Sequence, residues 1–190
     1  MDMQIIKACF FCALAALAAC VPILPHIDYV PEMAGGKLLK GPCWQKPSMQ
    51  YQTDGISLTS RIMTWPDDVL RVELLFDIPE GITVELLAPD IFVVSPSGAS
   101  AVRVPIPGIS LNDNPSLPLQ AMGPMVGHDV LSYQRKYPRH FWLFAPLRGI
   151  DAGDMRVTLP PLKVNDRIVT IPGIHFTRHM RVQLVAPVQC

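Results

Sequence analysis

The chain is short of charge. Only 17% of its 190 residues are Asp, Glu, Lys or Arg, below the ~25% usual in soluble domains, and 16 acidic residues cancel 16 basic ones. Zero net charge and a pI near 6.9 argue against nucleic acid as a partner, because phosphate binding takes clustered positive charge. A mean hydropathy of +0.28 with so few charges argues against disorder. The recognisable motifs of common chemistry are missing too. There is no G-x-S-x-G nucleophile elbow, no G-x-x-x-x-G-K-[ST] phosphate cradle, no G-x-G-x-x-G and no H-E-x-x-H. Proline, by contrast, is abundant at 20 residues against an average of ~5%, and each interior proline costs a helix about 3 kcal/mol. A helix bundle is excluded.

Residues Met1 to Cys20 differ from the rest. Lys7 and the amino terminus supply a short positive segment, offset by Asp2, and the apolar run ACFFCALAALAA follows from Ala8 to Ala19. At 1.5 Å per residue that run covers about 18 Å, well short of the ~30 Å hydrocarbon core. It reads as the core of a signal peptide and not as a spanning helix. It ends in Leu17-Ala18-Ala19-Cys20.

These residues resemble the lipobox of bacterial lipoproteins, a Leu and two small residues before an invariant Cys. The resemblance is confined to this segment. It implies that Cys20 is diacylated with fatty chains such as palmitate, that the chain is cleaved before it, and that the new amino terminus is acylated in turn. Val21 stands where the family's inner-membrane retention signal would be Asp, so the implied address is the outer membrane, with the folded part on its periplasmic face. Each buried acyl CH₂ contributes about 0.8 kcal/mol, and several chains hold where one is marginal. The competing reading is an ordinary cleavable signal with small residues at Ala16 and Ala18, which leaves a soluble periplasmic protein.

With Cys9 and Cys12 in the signal and Cys20 acylated, Cys43 and Cys190 remain. An even remainder in an exported protein reads as a disulfide, and loop-closure entropy assigns so long a loop up to about 5 kcal/mol. A redox pair is the alternative, but no Cys-x-x-Cys is present to lower a thiol pKa. The organisation is then a signal peptide at 1–19, a lipid-anchored segment at 20–48 and one β-sandwich domain at 49–190. Val21 to Gly41 is too apolar for a flexible spacer. It reads as an extra edge strand, or else as an apolar surface offered to a partner.

From Met49 onward the hydrophobic period is two. Ile56, Leu58 and Ile62 alternate with Ser57, Thr59 and Arg61; Leu70, Val72, Leu74 and Phe76 alternate with Arg71, Glu73 and Asp77. The same pattern recurs at Ile82–Leu86, Val102–Ile106, Met155–Leu159 and Met180–Leu184, the residues of a half-buried sheet. Turns fall at Trp65-Pro66-Asp67-Asp68, Pro79-Glu80-Gly81, Ser95-Pro96-Ser97-Gly98 and Asn165-Asp166, the last with the length of a two-residue hairpin. Short strands at this spacing predict an all-β fold, an antiparallel, immunoglobulin-like β-sandwich. One long irregular connection, Leu111 to Tyr137, interrupts it. There Asp129 is placed to cap a short helix running through Lys136.

Candidate sites are few. The carboxylates Asp67-Asp68, Asp77 with Glu80, and Asp151 with Asp154 read as turn residues bonding the local backbone. Met122, Met125 and His128, together with His175, His179 and Met180, carry the thioether and imidazole donors that suit Cu(I). Methionine also fills gaps in cores. The segment from Tyr133 to Trp142 is a local cluster of positive charge with interleaved aromatics, and Arg135, Lys136, Tyr137, Arg139 and Trp142 form the candidate recognition surface. Its alternative reading has Phe141, Leu143 and Phe144 in a core strand with the cations solvated.

The expected function is therefore a non-enzymatic binding, scaffolding or assembly module of the cell envelope. It needs no cofactor, and its partners would be the membrane, through the anchor, and another envelope protein or glycan. A periplasmic copper carrier using the Met and His residues is the alternative. A hydrolase with an unrecognised site is the weaker one.

Overall fold

The computed structural model describes residues 23–40, 46–65, 67, 69–95, 100–111, 118–132, 135–150 and 153–184, with backbone alone at 23–26, 131–132, 135–136 and 181–184. The signal segment, Cys20, Cys43 and Cys190 lie outside the described residues.

The described chain is all strand and connection. In order the strands are β1 (Ile23–Glu32), β2 (Lys37–Leu39), β3 (Ser48–Thr53), β4 (Ile56–Thr64), β5 (Leu70–Ile78) and β6 (Thr83–Leu86). There follow β7 (Asp90–Val94), β8 (Val102–Pro105), β9 (Ile109–Ser110), β10 (Met125–Val126) and β11 (Asp129–Ser132). The last are β12 (Arg135–Pro146), β13 (Met155–Thr158), β14 (Leu162–Val164), β15 (Arg167–Val169) and β16 (Ile174–Leu184). They form a five-stranded sheet β1-β16-β13-β7-β8, a four-stranded sheet β10-β6-β14-β15, and a seven-stranded sheet β11-β12-β5-β4-β3-β2 with β9 beside β12. Every pairing whose register is described is antiparallel. Asp28–His179 make one compact unit; Met1–Ile27 with Met180–Cys190 make a second, described only at the start of β1 and the end of β16.

The period-two reading explains the core of the larger unit. Along β4, Ile56, Leu58, Ser60 and Ile62 are buried while their neighbours are not. Val72, Leu74, Phe76 and Ile78 are buried on the same face of β5, as are Phe141, Leu143 and Ala145 on β12, while Glu73 and Phe144 are buried on the other face. They meet Ile91, Val93, Met155, Val157, Ile174 and Phe176 of the five-stranded sheet and Val84, Met125, Leu162 and Val164 of the four-stranded one in a single cluster. Sheets facing each other across one apolar layer are the sandwich-like arrangement that alternating strands require.

The turns close the hairpins by local chemistry. Asp54 and Gly55 join β3 to β4 with φ of 47° and 81°, the doubly positive geometry that a two-residue hairpin favours and that Asp-Gly supplies. Neither residue is marked by the hydrophobic alternation on either side of the pair. Asn165 and Asp166 join β14 to β15 as expected, with Asn165 at φ 51°. Asn165 Oδ1 also accepts the Thr83 N–H at 2.9 Å while its own N–H donates to Thr83 O at 2.8 Å, pinning the turn to β6. β1 takes an edge of the five-stranded sheet, where its prolines remove no ladder bond from a second neighbour.

Three expectations are corrected. The helix from Asp129 to Lys136 is instead the β11–β12 hairpin, with Asp129 opposite Pro138 and Ser132 opposite Arg135. A capping residue is a weak local signal, and Tyr137, preceding Pro138, is held extended by the proline ring, so pairing wins. Asp77 is not in a turn but inside β5, opposite His140 of β12. Met180, expected on the inward face of the last strand, is 67% exposed, and among the described side chains of β16 the buried ones are Ile174 and Phe176.

Candidate functional site

The hairpin that replaces the helix builds the site. β12 runs beside β5 for eight residue pairs, from Arg139 opposite Ile78 to Pro146 opposite Arg71. Its first residues extend past β5 to pair with β11 instead. At this junction a groove of about 570 Å³ opens, lined by Leu111, His128, Val130, Tyr137, Pro138, Arg139 and His140. Its volume lies within the ~300–1,000 Å³ usual for small-ligand sites.

Arg139 is the centre of its polar side. The backbone N–H of Arg139 donates to His128 O at 3.1 Å, tying β12 to the residue just before β11. The Arg139 Nη1 lies 3.1 Å from His128 Nδ1 and 3.0 Å from Nε2, so it approaches the ring edge between the two nitrogens. The guanidinium carbon stands 5.5 Å from the centroid of the Phe141 ring, a cation–π contact two residues along the same strand face. Beside it, His140 Nδ1 bonds Asp77 Oδ1 across the β12–β5 ladder. The apolar side consists of Leu111, Val130 and Tyr137, the latter two almost half exposed.

His128 reaches the groove because Gly127 lets the chain through. A side-chain carbon at Gly127 would lie 2.0 Å from Pro79 O and 2.7 Å from Ile78 O. Only glycine fits there.

Of the candidate recognition residues, Tyr137 and Arg139 line this groove, and the side chains of Arg135 and Lys136 lie outside the described residues. Trp142 sits elsewhere, on the outer face of the seven-stranded sheet, stacked on Phe144 at 6.2 Å and 6° with Arg61 above it at 5.6 Å. Phe141, Leu143 and Phe144 are buried, as the alternative reading of the segment has them. Leu111, Val130 and His140 join the groove without having been singled out. Nothing local marks Leu111 or Val130, because pairing at a distance places them: Val130 lies opposite Tyr137 in the β11–β12 register, and Leu111 follows β9, which pairs with β12.

The soft-metal residues are dispersed in role. Met125 is fully buried and Met122 packs against the same core, so both thioethers are used as apolar filling. His128 is held by Arg139. His175 lines a different groove with Val94, Ser95, Met155, Arg156 and Gly173, and His179 is exposed further along β16. Among the described residues no three His, Cys, Asp or Glu side chains are grouped to hold a metal ion. Of the carboxylates, Asp67 accepts the Val69 N–H at 3.4 Å as a turn residue does, whereas Asp154 accepts the Arg178 N–H at 2.7 Å across to β16.

No protein-family model, curated protein or solved structure matches the chain.

Proposed function

We propose that the protein is a lipid-anchored binding module of the bacterial cell envelope, held at the outer membrane through Cys20 with its sandwich in the periplasm. It acts by recognising another envelope component and not by catalysis. The immunoglobulin-like likeness is part of this proposal and rests on strand spacing and architecture.

One observation carries the recognition half of the reading. The segment with the chain's local concentration of cations and aromatics forms the wall of a groove, and Arg139 there is fixed by His128 and Phe141. A side chain already ordered loses little entropy on binding, which is what a recognition site needs. The anchor half is supported by the residues Leu17-Ala18-Ala19-Cys20 at the end of a short apolar run.

Two measurements test it. Mass spectrometry of the membrane-extracted chain should show a start at Cys20, fatty acylation there, and Cys43 joined to Cys190, with Cys20→Ala released to the soluble fraction. A chain that keeps residues 1–19, unacylated, overturns the anchor. Capture of an envelope component by the wild type, reduced at least tenfold in Tyr137→Ala or Arg139→Gln, supports the groove. Equal capture by wild type and variants overturns it.

A further inference from the structure

We infer that the groove between β11 and β12 is an oxyanion site, taking a phosphate or carboxylate group that carries a small apolar substituent. This names the ligand class of the recognition groove and so rests on that reading.

The charge argument comes first. The lining residues include Arg139, His128 and His140 and no carboxylate. Asp77, which bonds His140, faces a separate groove with Gln50, Gln52 and Ser57. The groove side of His140 is therefore not shared with an acid.

Donor accounting comes second. Among the described residues the side-chain hydrogen bonds of Arg139 engage Nη1 alone, through His128. Its Nε–H and Nη2–H₂ remain, and these form the planar fork that matches two oxygens of a phosphate or carboxylate. The stacking on Phe141 and the clasp of His128 hold that fork in place before a ligand arrives. A lysine in the same position would offer a point charge with no fixed plane.

The apolar part of the lining sets the substituent. Val130 is 45% and Tyr137 42% exposed, with Leu111 beside them. About 570 Å³ is far more than a bare phosphate fills, and the surplus is bounded by these apolar surfaces. Covering them removes apolar area from water, which favours a ligand with an apolar substituent. A bare ion gains only the charged half of the site.

The oxyanion could belong to a soluble phosphate ester or to an anionic lipid headgroup, and one titration separates them. The detergent-purified full chain is titrated calorimetrically with n-butyl phosphate, butyrate and inorganic phosphate. Saturable binding is expected, at least threefold tighter for butyl phosphate than for inorganic phosphate. Arg139→Gln should weaken it tenfold or more and Arg139→Lys by a lesser factor, while Lys163→Gln, an equal loss of charge on the exposed side of β14, should stay within twofold. Melting curves confirm that each variant folds. Repeating the titration with phosphatidylcholine vesicles, with and without phosphatidylglycerol, identifies the source. Competition by phosphatidylglycerol points to a headgroup, and none points to a soluble ester. Absence of saturable binding to every probe, or binding unchanged in folded Arg139→Gln, overturns the inference. If the probes fail while Arg139→Gln still abolishes envelope capture, the groove recognises something other than an oxyanion. If capture is also unaffected, the recognition reading falls with it.

Discussion

Trp65 donates its indole N–H to Glu73 Oε1 at 3.0 Å, and this bond closes a lid over a carboxylate that lies on the outer face of a sheet yet is 1% exposed. The second oxygen of Glu73 accepts Arg61 Nε at 2.7 Å. Arg61 in turn stands over Trp142, and Trp142 and Trp65 pack on Phe144 stacked and edge-on. The aromatic face expected to be available for recognition is thus occupied by its own chain.

That cluster makes the first prediction. Glu73→Ala leaves the Arg61 and Trp65 donors without their acceptor and removes the charge they were built around. Breaking a buried pair costs about 3–5 kcal/mol, and because Arg61 keeps partial access to water the lower part of the range applies, about 3 kcal/mol. Trp65→Phe, which keeps the ring and drops the N–H, should cost about 1 kcal/mol. Urea unfolding measures both. An effect of Glu73→Ala below about half a kcal/mol would show that the pair does not hold the lid.

Ser60 supplies a change in the opposite direction. Its Oγ is buried on the inward face of β4 and is the buried side-chain polar atom without a hydrogen-bond partner among the described residues. A buried hydroxyl without a partner costs about 1–3 kcal/mol, and Ser60→Ala removes it while leaving the methylene packed against the core. The variant should be more stable by about 1 kcal/mol, read as a higher melting temperature. A lower one would mean that the hydroxyl is satisfied in solution.

Much of the fold was legible and much of the site was not, for one physical reason. Ile56, Leu58 and Ile62, or Val72, Leu74 and Phe76, announce a strand because burial repeats every second residue over a run long enough to see. The two residues of β10 or the four of β11 carry no such repeat, and their strand state is set by Val84 and Tyr137 across the ladder. Val130 of β11 and His128 just before it complete a groove whose other wall is the start of β12, from Tyr137 to His140. Tyr137 and Arg139 stood out by composition, but His128 could be read only as a metal donor until Arg139 was seen beside it. Asp77 likewise looked like a turn acid because Pro79-Glu80-Gly81 follows so closely, whereas β5 persists through Ile78 to meet β12.

Asn165 tests how a turn is held. Its positive φ and its two bonds to Thr83 are separable by substitution. Asn165→Gly keeps the backbone geometry and the N–H bond but loses the Oδ1 acceptor, an expected loss of about 1 kcal/mol. Asn165→Ala loses the same acceptor and adds the strain of a side-chain carbon in the left-handed region, an expected loss of about 2 kcal/mol. Equal effects of the two in chemical denaturation would assign the whole contribution to the hydrogen bond.

Gly127 couples stability to the groove. The approach of Pro79 O and Ile78 O to its α-carbon leaves no room for a methyl group, and both are backbone atoms that cannot swing aside as a flexible side chain would. Its N–H is also committed, to Ile82 O at 2.8 Å. Gly127→Ala must therefore push the segment between β10 and β11 away from the β5–β6 turn, with an expected cost of about 3 kcal/mol, the upper end for overpacking. The displaced residue next in sequence is His128, so the clasp on Arg139 should loosen as well. Gly123→Ala is the matched control, since nothing lies within 4 Å of its added carbon. The melting temperature should fall for Gly127→Ala and stay put for Gly123→Ala. At a temperature where both remain folded, only the first should lose affinity for butyl phosphate. Retention of full affinity by a folded Gly127→Ala would mean that the position of His128 does not matter to the groove.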